Sequence, residues 1–366
     1  MINLDLIVGA RPNFIKIAPI IKALKKKNIE ENVFTWRLIH TGQHYDVNMS
    51  ETFFRQLEIP QPDFNLNVGS GSQAEQTAGI MSGYEKLLML RKPDLCIVVG
   101  DVNSTMACAI TARKMLVPVA HVEGGIRSGD QTMPEEINRI VTDSITNWFF
   151  TTSEIANTNL KNSGVNESGI FFVGNTMIDT LLTFREHFIK PDVWDTLQLK
   201  EKEYFVITLH RPANVDEGRK LKLLLDEIVN HTHDLDLIFP VHPRTNKILT
   251  ELGIKNTRLY LIEPLGYLEF NYLVERSKAV ITDSGGITEE TTVMGVPCMT
   301  LRDTTERPET VHIGTNELIG TDPAKLRPAL DRLFEGKWKI GRIPEKWDGG
   351  TGERIVNILE KTLTST

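Results

Sequence analysis

Short runs of β-branched and other apolar residues alternate along the chain with segments of helical periodicity. Strands that alternate with helices in this way form parallel sheets with helices on both faces. The runs fall into two series, and each series predicts its own sheet. The predicted strands are Leu4–Val8, Thr35–His40, Leu95–Val99, Val117–Val122, Trp148–Thr151 and Ile170–Val173 in the first series, and Tyr204–Leu209, Leu237–Val241, Leu259–Ile262, Ala279–Ile281 and Val296–Thr300 in the second.

The two series predict two doubly wound α/β domains that face each other over a cleft. A length of 366 residues also exceeds the usual size of a single domain. A charged segment without strand character separates the series, so we place the first domain at 1–182 and the second at 183–351. The helical segment at about 352–366 is expected to pack back on the first domain.

Composition excludes several classes of function. The net charge of −7 argues against non-specific nucleic-acid binding. No apolar run approaches the roughly 18 residues of a membrane span, and the first residues lack the basic region of a signal peptide. The cysteines Cys96, Cys108 and Cys298 lie in apolar contexts, which is typical of a reducing compartment, and no Cys/His cluster has zinc-site spacing. We therefore expect a cytoplasmic protein that binds neither nucleic acid nor membrane.

Basic side chains follow the first predicted strand, at the sheet edge where ligands bind in this fold class. Gly9 permits a tight turn, and Arg11 and Lys16 place positive charge at the start of a helix, where anions are favoured. Ordinary surface cations would explain the two side chains equally well. The chain has no G-x-G-x-x-G motif there and no Walker A motif anywhere, which disfavours a dinucleotide dehydrogenase or a P-loop enzyme.

Carboxylates from three segments are predicted to meet at the edge of the first sheet. Asp101 and Glu123 come directly after strands, and Glu135 follows Pro134 at the start of a helix. Each also has a structural explanation, because Asp101 could cap a helix and Glu135 could complement a helix dipole. Together, the three carboxylates predict acid–base chemistry at a carbon centre.

The stretch DSGGITEE follows a strand of the second series and opens a helical segment. Ser284, Gly285 and Gly286 offer uncrowded backbone N–H groups to a diphosphate. Glu290, about one helical turn further on, could accept both hydroxyls of a ribose, and Phe270 offers a surface to a base. The pattern predicts a ligand that contains a nucleoside diphosphate.

Further polar side chains follow the strands of the second series. His210 and His242 end two strands at equivalent positions, and either could be structural or catalytic. Arg302, Glu306 and Arg307 lie in a predicted loop that follows a buried strand. We expect this loop to clamp the ligand, with an ordinary solvated loop as the alternative.

These residues together resemble the non-hydrolysing UDP-N-acetylglucosamine 2-epimerases. The matching motifs run nearly from end to end: GARPNFIKIAPI, TGQHYD, GDVNST, HVEGGIRSGD, PEEINR, GNTMIDTLL, PVHPR, TDSGGITEE and LRDTTERPETV. The resemblance implies two Rossmann-like domains, as in the B-type glycosyltransferases, with the active site between them. It also implies a homodimer that acts on a UDP-sugar and needs neither a metal nor a redox cofactor.

The resemblance assigns roles to individual positions. The implied acid–base set is Asp101, Glu123, Glu135 and His210. The implied UDP-contacting set is Arg11, Lys16, Ser284, Gly285, Gly286, Glu290 and Arg307, with Phe270 stacked on the uracil. Gln43 and His44 match part of an allosteric site at which some members bind UDP-N-acetylglucosamine as an activator.

The sequence departs from the family pattern at a few positions. Asp46 replaces a glutamine that is common near the activator site. Asn13 stands where many members have Glu, and Thr288 stands where many have Gln. The change at Asn13 would mark a subgroup that acts on a modified sugar, such as a diacetamido-uronic acid derivative.

The implied reaction inverts C2 of the sugar through loss of UDP, formation of a 2-acetamidoglucal and re-addition of UDP. Other interpretations remain open at this point. A hydrolysing 2-epimerase would release the free sugar, and a B-type glycosyltransferase would need an acceptor. A non-enzymatic UDP-sugar sensor would have no reason to combine Asp101, Glu123, Glu135 and His210.

Overall fold

The computed structural model describes residues 1–42, 54, 56–215, 218–241, 243–251 and 257–364. The chain forms two compact units. Unit 1 comprises Met1–Phe184 together with Glu345–Thr366, and unit 2 comprises Arg185–Pro344. Each unit is built around one parallel β-sheet with helices packed against it.

The strands of unit 1 form a seven-stranded parallel sheet in the order β3-β2-β1-β4-β5-β6-β7. They are β1 (Ile2–Val8), β2 (Phe34–His40), β3 (Phe64–Asn65), β4 (Leu95–Val99), β5 (Val119–Val122), β6 (Trp148–Thr151) and β7 (Ile170–Phe172). The helices are α1 (Arg11–Glu30), α2 (Gln73–Leu90), α3 (Asn103–Lys114), α4 (Pro134–Ile145), α5 (Glu154–Asn162) and α6 (Thr176–Phe184).

Unit 2 contains a six-stranded parallel sheet in the order β10-β9-β8-β11-β12-β13. Its strands are β8 (Tyr204–Thr208), β9 (Asp236–Pro240), β10 (Leu259–Ile262), β11 (Ala279–Thr282), β12 (Cys298–Thr300) and β13 (Asn316–Leu318). The helices are α7 (Asp192–Thr196), α8 (Pro212–Val215), α9 (Gly218–His231), α10 (Pro243–Glu251), α11 (Tyr267–Arg276), α12 (Gly285–Met294), α13 (Pro308–His312) and α14 (Leu326–Phe334).

The last helix, α15 (Thr351–Thr364), belongs to unit 1 and packs against α1. Two ion pairs join the helices: Lys26 Nζ of α1 lies 2.6 Å from Glu353 Oε1, and Lys27 Nζ lies 3.1 Å from Glu360 Oε2. The segment that precedes α15 is also anchored in unit 1, because the buried Trp347 donates its indole N–H to the carbonyl oxygen of Thr152. The chain therefore leaves unit 1 after α6 and returns to it after unit 2.

The strand order places a topological switch point in each sheet. In unit 1 the order reverses at β1 and β4, and in unit 2 it reverses at β8 and β11. Ligands of doubly wound folds bind beyond the carboxyl ends of the strands at such points. Gly9 and Gly100 follow the switch-point strands of unit 1, and Leu209 and Asp283 follow those of unit 2.

The predicted fold class is confirmed, and the eleven predicted strands are present with ends shifted by at most two residues. Central strands such as Leu95–Val99 are buried along their whole length, which explains their continuous apolar character. The two-residue β3 and the three-residue β13 were not predicted. None of the helices in the described part of the chain is long and apolar enough to cross a membrane.

Candidate active site

Asp101 and Glu123 lie at the ends of adjacent strands in unit 1. Val99 of β4 pairs in register with Val122 of β5, and the N–H of Gly100 donates to the carbonyl oxygen of Val122 at 3.0 Å. The two carboxylates therefore begin from neighbouring turns at the carboxyl edge of the sheet. This is the grouping that the sequence predicted for these two residues.

Glu123 is held in a constrained position. Its backbone φ of +70° lies in the left-handed region, which is uncommon for a residue other than glycine, and only 3% of the residue is exposed. Its N–H donates to the carbonyl oxygen of Phe150 at 2.9 Å. Backbone strain of this kind costs about 1–3 kcal/mol and is typical of functional sites.

Lys16 pairs with Glu123 in a buried contact. The Lys16 Nζ lies 2.7 Å from Glu123 Oε2, and both side chains are almost fully buried. An unpaired carboxylate in the interior would be unfavourable, and Lys16 supplies the partner that Glu123 needs there. The resemblance implied that Lys16 contacts UDP, and the structure places its ammonium group against the Glu123 carboxylate. Its contact with UDP remains a prediction.

Asp101 is fixed by Arg139 of α4. The guanidinium donates to Asp101 Oδ2 from Nε at 3.0 Å and from Nη2 at 2.6 Å. Arg139 also bonds Glu136, whose carboxylate accepts the N–H groups of Ser128 and Gly129. Burial would raise the pKa of Glu136, but these N–H groups and Arg139 hold it below its usual value. Sequence reasoning missed Arg139, although it lies in the quoted motif PEEINR, and gave Glu136 no role beyond complementing the helix dipole.

Glu135 lies in the first turn of α4 and is partly buried. No residue of the described chain donates a hydrogen bond or forms an ion pair to its carboxylate, so its side chain is less constrained than those of Asp101 and Glu123. Asn138, on the same helix, donates to the backbone carbonyl of Asp101 at 2.9 Å. Helix α4 thus carries one acid–base candidate and also positions another.

The turn after β1 packs closely on the rest of unit 1. Gly9 has no room for a side chain, since a Cβ there would lie 1.9 Å from the hydroxyl oxygen of Ser104. Asn13 accepts the N–H groups of Gly9 and Ala10 and donates to the carbonyl oxygen of Val99. All of these bonds are to backbone, so Asn13 joins the turn after β1 to the end of β4. The link between Asn13 and a modified sugar remains a prediction.

In unit 2, His210 and Asp283 meet at the switch point. His210 Nδ1 lies 2.8 Å from Asp283 Oδ1, and the fully buried carboxylate also accepts the backbone N–H groups of His210 and Arg211 and the side-chain amide of Asn214. Burial would raise the pKa of Asp283, but these partners lower it below its usual value. Asp283 was quoted in the sequence motif without a role, and it orients His210, whose side chain is 61% exposed.

Helix α12 begins at Gly285 with Ser284 as its N-cap, as the glycine-rich motif predicted. The Ser284 side chain forms no capping bond. The backbone N–H of Ser284 donates to the hydroxyl of Thr282. A Cβ on Gly285 would lie 2.5 Å from Glu306 Oε1. Glu306 in turn pairs with Arg302 at 2.6 Å. Two members of the predicted clamp loop therefore lie at the positive end of α12.

Glu290 lies on α12 and is buried against Tyr267, whose hydroxyl donates to Glu290 Oε1 at 2.8 Å. Burial raises the pKa of Glu290 to about 7. Phe270, on α11, packs partly buried against the same core cluster as Leu273. Tyr267 was not identified from the sequence, although it lies three residues before Phe270.

Arg307 is buried, and its Nε lies 2.6 Å from Glu289 Oε1 on α12. It also forms the N-cap of the short helix α13. Arg11 is the first residue of α1 and is partly exposed. The structure places these two cations at helix starts in different units.

Some predicted residues lie outside the described part of the chain. These are Gln43, His44 and Asp46 of the activator motif and His242. Among the described residues, no group of three or more His, Cys, Asp or Glu side chains could hold a metal ion.

Each unit has a parallel sheet; Asp101 and the buried Glu123 follow adjacent strands of the first, and a glycine-rich helix start follows β11 of the second, as in enzymes of the B-type glycosyltransferase-like fold. The family model described as UDP-N-acetylglucosamine 2-epimerase matches residues 26–360. The chain belongs to this family and is an epimerase.

Relatives and solved structures agree with this assignment. The chain is 43% identical to the UDP-N-acetylglucosamine 2-epimerase of Methanocaldococcus jannaschii over 98% of both sequences. The crystal structure of that enzyme in complex with UDP-GlcNAc and UDP superimposes with a TM-score of 0.89, covering 98% of this chain and 100% of the other. The chain is also 40% identical to the UDP-2,3-diacetamido-2,3-dideoxy-D-glucuronate 2-epimerase of Pseudomonas aeruginosa over 86% of this chain and 87% of the other.

Proposed function

We propose that this protein interconverts UDP-N-acetylglucosamine and UDP-N-acetylmannosamine by eliminating UDP and adding it back. The observation that carries the proposal is the buried Glu123, paired with Lys16 beside the turn of Asp101. A carboxylate kept in a strained, sheltered position next to a second carboxylate suits proton transfer at carbon. The solved complex of the M. jannaschii enzyme with UDP-GlcNAc and UDP supports the choice of substrate.

The first half of the reaction breaks two bonds. The C2 proton of the sugar is only weakly acidic because no carbonyl lies beside it. When the anomeric C1–O bond to UDP breaks, C1 gains oxocarbenium character and the C2 proton becomes far more acidic. A carboxylate takes that proton, and the C2–H electron pair forms the C1–C2 double bond of a 2-acetamidoglucal. UDP leaves with the electron pair of the C1–O bond.

The second half reverses these steps on the other face of C2. A proton is added to the opposite face of C2, and a diphosphate oxygen of UDP adds to C1 to restore the bond. Two faces require acid–base groups on both sides, which explains an inventory of several carboxylates. We assign this work to Asp101, Glu123 and Glu135, and assistance at the leaving phosphate to His210.

Unit 2 would bind the nucleotide. The N–H groups at the start of α12 and nearby cations would stabilise the diphosphate as it leaves. We assign UDP contacts to Arg11, Lys16, Phe270, Ser284, Gly285, Gly286, Glu290 and Arg307. Tyr267 would hold the Glu290 carboxyl group towards the ribose.

Turnover in heavy water tests the scheme. The protein is incubated with UDP-N-acetylglucosamine in D₂O, and the products are read by NMR. We expect the C2 epimer to carry deuterium at C2, because the proton is exchanged with solvent at the glucal stage. An epimer without label would refute the elimination, and free sugar plus UDP would instead identify a hydrolysing enzyme.

A second candidate substrate is a 2,3-diacetamido uronic acid linked to UDP. The 40% identity to the P. aeruginosa enzyme of that name favours it. The ratio of kcat/KM for the two UDP-sugars decides between the candidates. The sugar with the higher kcat/KM is the natural substrate class.

The proposal extends to assembly, location and regulation on the strength of the family resemblance. We propose a homodimer in the cytoplasm, testable by light scattering of the purified protein and by fractionation of cells. Gln43 and His44 would contribute to an activator site. Addition of UDP-N-acetylglucosamine to a reaction that starts from the manno epimer would then raise the rate.

A further inference from the structure

His121 is a completely buried residue of β5 that no step of the proposed reaction uses. Its Nδ1 lies 2.7 Å from Asp143 Oδ1, and its Nε2 lies 2.8 Å from the backbone carbonyl oxygen of Gly100. A carbonyl oxygen and a carboxylate oxygen can only accept hydrogen bonds. Both ring nitrogens must therefore donate if both contacts are hydrogen bonds.

Asp143 is the buried carboxylate that pairs with the His121 ring. Its second oxygen accepts the N–H of Gly125 at 3.0 Å and Arg127 Nη1 at 2.6 Å. Burial would raise the pKa of Asp143, but His121 and Arg127 together hold it below its usual value. The carboxylate is thus ionised and lies between the buried His121 ring and the guanidinium of Arg127, which reaches the surface.

The other contact of His121 is with the turn that carries Asp101. Gly100 adopts a φ of +69° and directly precedes Asp101. Its N–H donates to the carbonyl oxygen of Val122 and its own carbonyl oxygen contacts His121, so the two peptide groups that flank Gly100 are both fixed from β5. Two residues after His121, the same strand leads into Glu123. The His121 side chain thus connects β5, which leads into Glu123, with the turn that carries Asp101.

We infer that His121 is a doubly protonated positioning residue, which carries a buried positive charge and fixes the Gly100–Asp101 turn for proton transfer at C2. Only the second part of the inference, the role in proton transfer at C2, rests on the proposed function. The charge on the ring follows from its two acceptors whatever the protein acts on. The placement of the Asp101 carboxylate follows from the bond to Gly100.

NMR of the full-length protein with ¹⁵N-labelled histidine tests the charge. The protein has nine histidines, and the signals of His121 are those that disappear in His121→Gln. We expect both ring nitrogens to show protonated-type shifts at pH 7 and at pH 8. In Asp143→Asn the amide can donate to Nδ1, so we expect one nitrogen to change to the unprotonated type. An unprotonated nitrogen in the wild-type ring would overturn the inference.

Two amide substitutions test the positioning role, because each retains a hydrogen-bond donor at the place of only one of the two ring nitrogens. In His121→Gln the amide nitrogen can occupy the place of Nε2 and donate to Gly100, but Asp143 loses its cationic partner. In His121→Asn the amide nitrogen can occupy the place of Nδ1 and donate to Asp143, but the Gly100 carbonyl loses its donor. A misplacement of reacting groups by about 1 Å can cost about 10²-fold in rate.

We therefore expect opposite orders of stability and activity. His121→Asn should lose about 10²-fold in kcat, with little change in KM, and should remain the more stable variant. His121→Gln should have the lower melting temperature and keep the higher kcat. If kcat instead follows stability, His121 is merely structural and the positioning role is wrong. Absence of epimerisation by the wild type would refute the proposed function, whereas the ring-nitrogen shifts would still decide the charge.

Discussion

Replacing Asp283 by Asn tests whether this buried carboxylate keeps His210 in the tautomer that carries its proton on Nδ1, as the proposed reaction needs. Asp283 accepts hydrogen bonds of 2.8–3.1 Å from the backbone of His210 and Arg211, from the Asn214 amide and from His210 Nδ1. The substitution keeps the shape of the side chain and removes its charge. It also replaces one acceptor oxygen with a donor.

The magnitude follows from the number of bonds. Hydrogen bonds to a charged group contribute about 1.5–3 kcal/mol and neutral ones about 0.5–1.5 kcal/mol, so neutralisation costs about 1 kcal/mol per bond. The new NH₂ group must also face one of the existing donors unless His210 changes its tautomer. With four such bonds, we expect the free energy of unfolding, measured with urea at pH 7, to fall by about 4 kcal/mol.

Activity should fall for a separate reason. The Asp283 carboxylate accepts a hydrogen bond from His210 Nδ1, which keeps the proton on that nitrogen and leaves Nε2 available at the exposed side of the ring. The amide of Asn would donate to Nδ1 and so favour the opposite tautomer. General acid–base catalysis contributes about 10²–10⁴-fold, and we expect kcat to fall by about 10²-fold in the NMR assay. Asp226→Asn on α9 removes an exposed pair with Lys222 and is the matched control, expected within about 0.5 kcal/mol of the wild type.

The pH dependence gives a further test of the same substitution. The pKa of Asp283 is below its usual value of 3.8, because its hydrogen-bond donors and His210 outweigh the effect of burial. Its contribution to stability is therefore present above about pH 4 and is lost as the pH falls through the lower folded value. The stability difference between wild type and variant should shrink on acidification. A difference that is independent of pH, or an unfolding free energy equal to that of the wild type at pH 7, would refute the reasoning.

Three further substitutions have definite expected outcomes. Glu123→Gln should lower kcat by about 10³-fold while UDP still binds in calorimetry, because proton transfer and nucleotide binding use different groups; loss of UDP binding would contradict this. Burial raises the pKa of Glu290 to about 7 from 4.5, so wild-type stability should fall as the pH rises through this interval, and urea unfolding should show less pH dependence for Glu290→Gln. Gly9→Ala should lower the free energy of unfolding by about 2 kcal/mol because its Cβ would overlap the side chain of Ser104, and an unchanged melting temperature would count against that close packing.

The sheets could be predicted from the sequence because their central strands are buried on both faces. A run such as LCIVV has no polar position, and its length and flanking turns distinguish it from a helix. The edge strands β3 and β13 are too short for any periodicity, so their pairing arises from tertiary context. The residues at strand ends could be predicted because parallel strands deliver their carboxyl ends to one edge.

The partners of those residues could not be predicted in the same way. The pairing of Lys16 with Glu123 joins positions 107 apart, and that of His210 with Asp283 joins positions 73 apart. Sequence spacing carries no information about such contacts, since they depend on which strands become neighbours. The strand order, which places β1 beside β4 and β8 beside β11, creates both switch points.

The return of the chain to unit 1 has a consequence for biosynthesis. Unit 2 lies wholly between α6 and Glu345, so all of its residues are synthesised before Trp347 and α15. The second unit can therefore complete its hydrophobic core while the first still lacks the helix that covers α1. A nascent chain would expose that uncovered surface of α1 until α15 has emerged and packed against it.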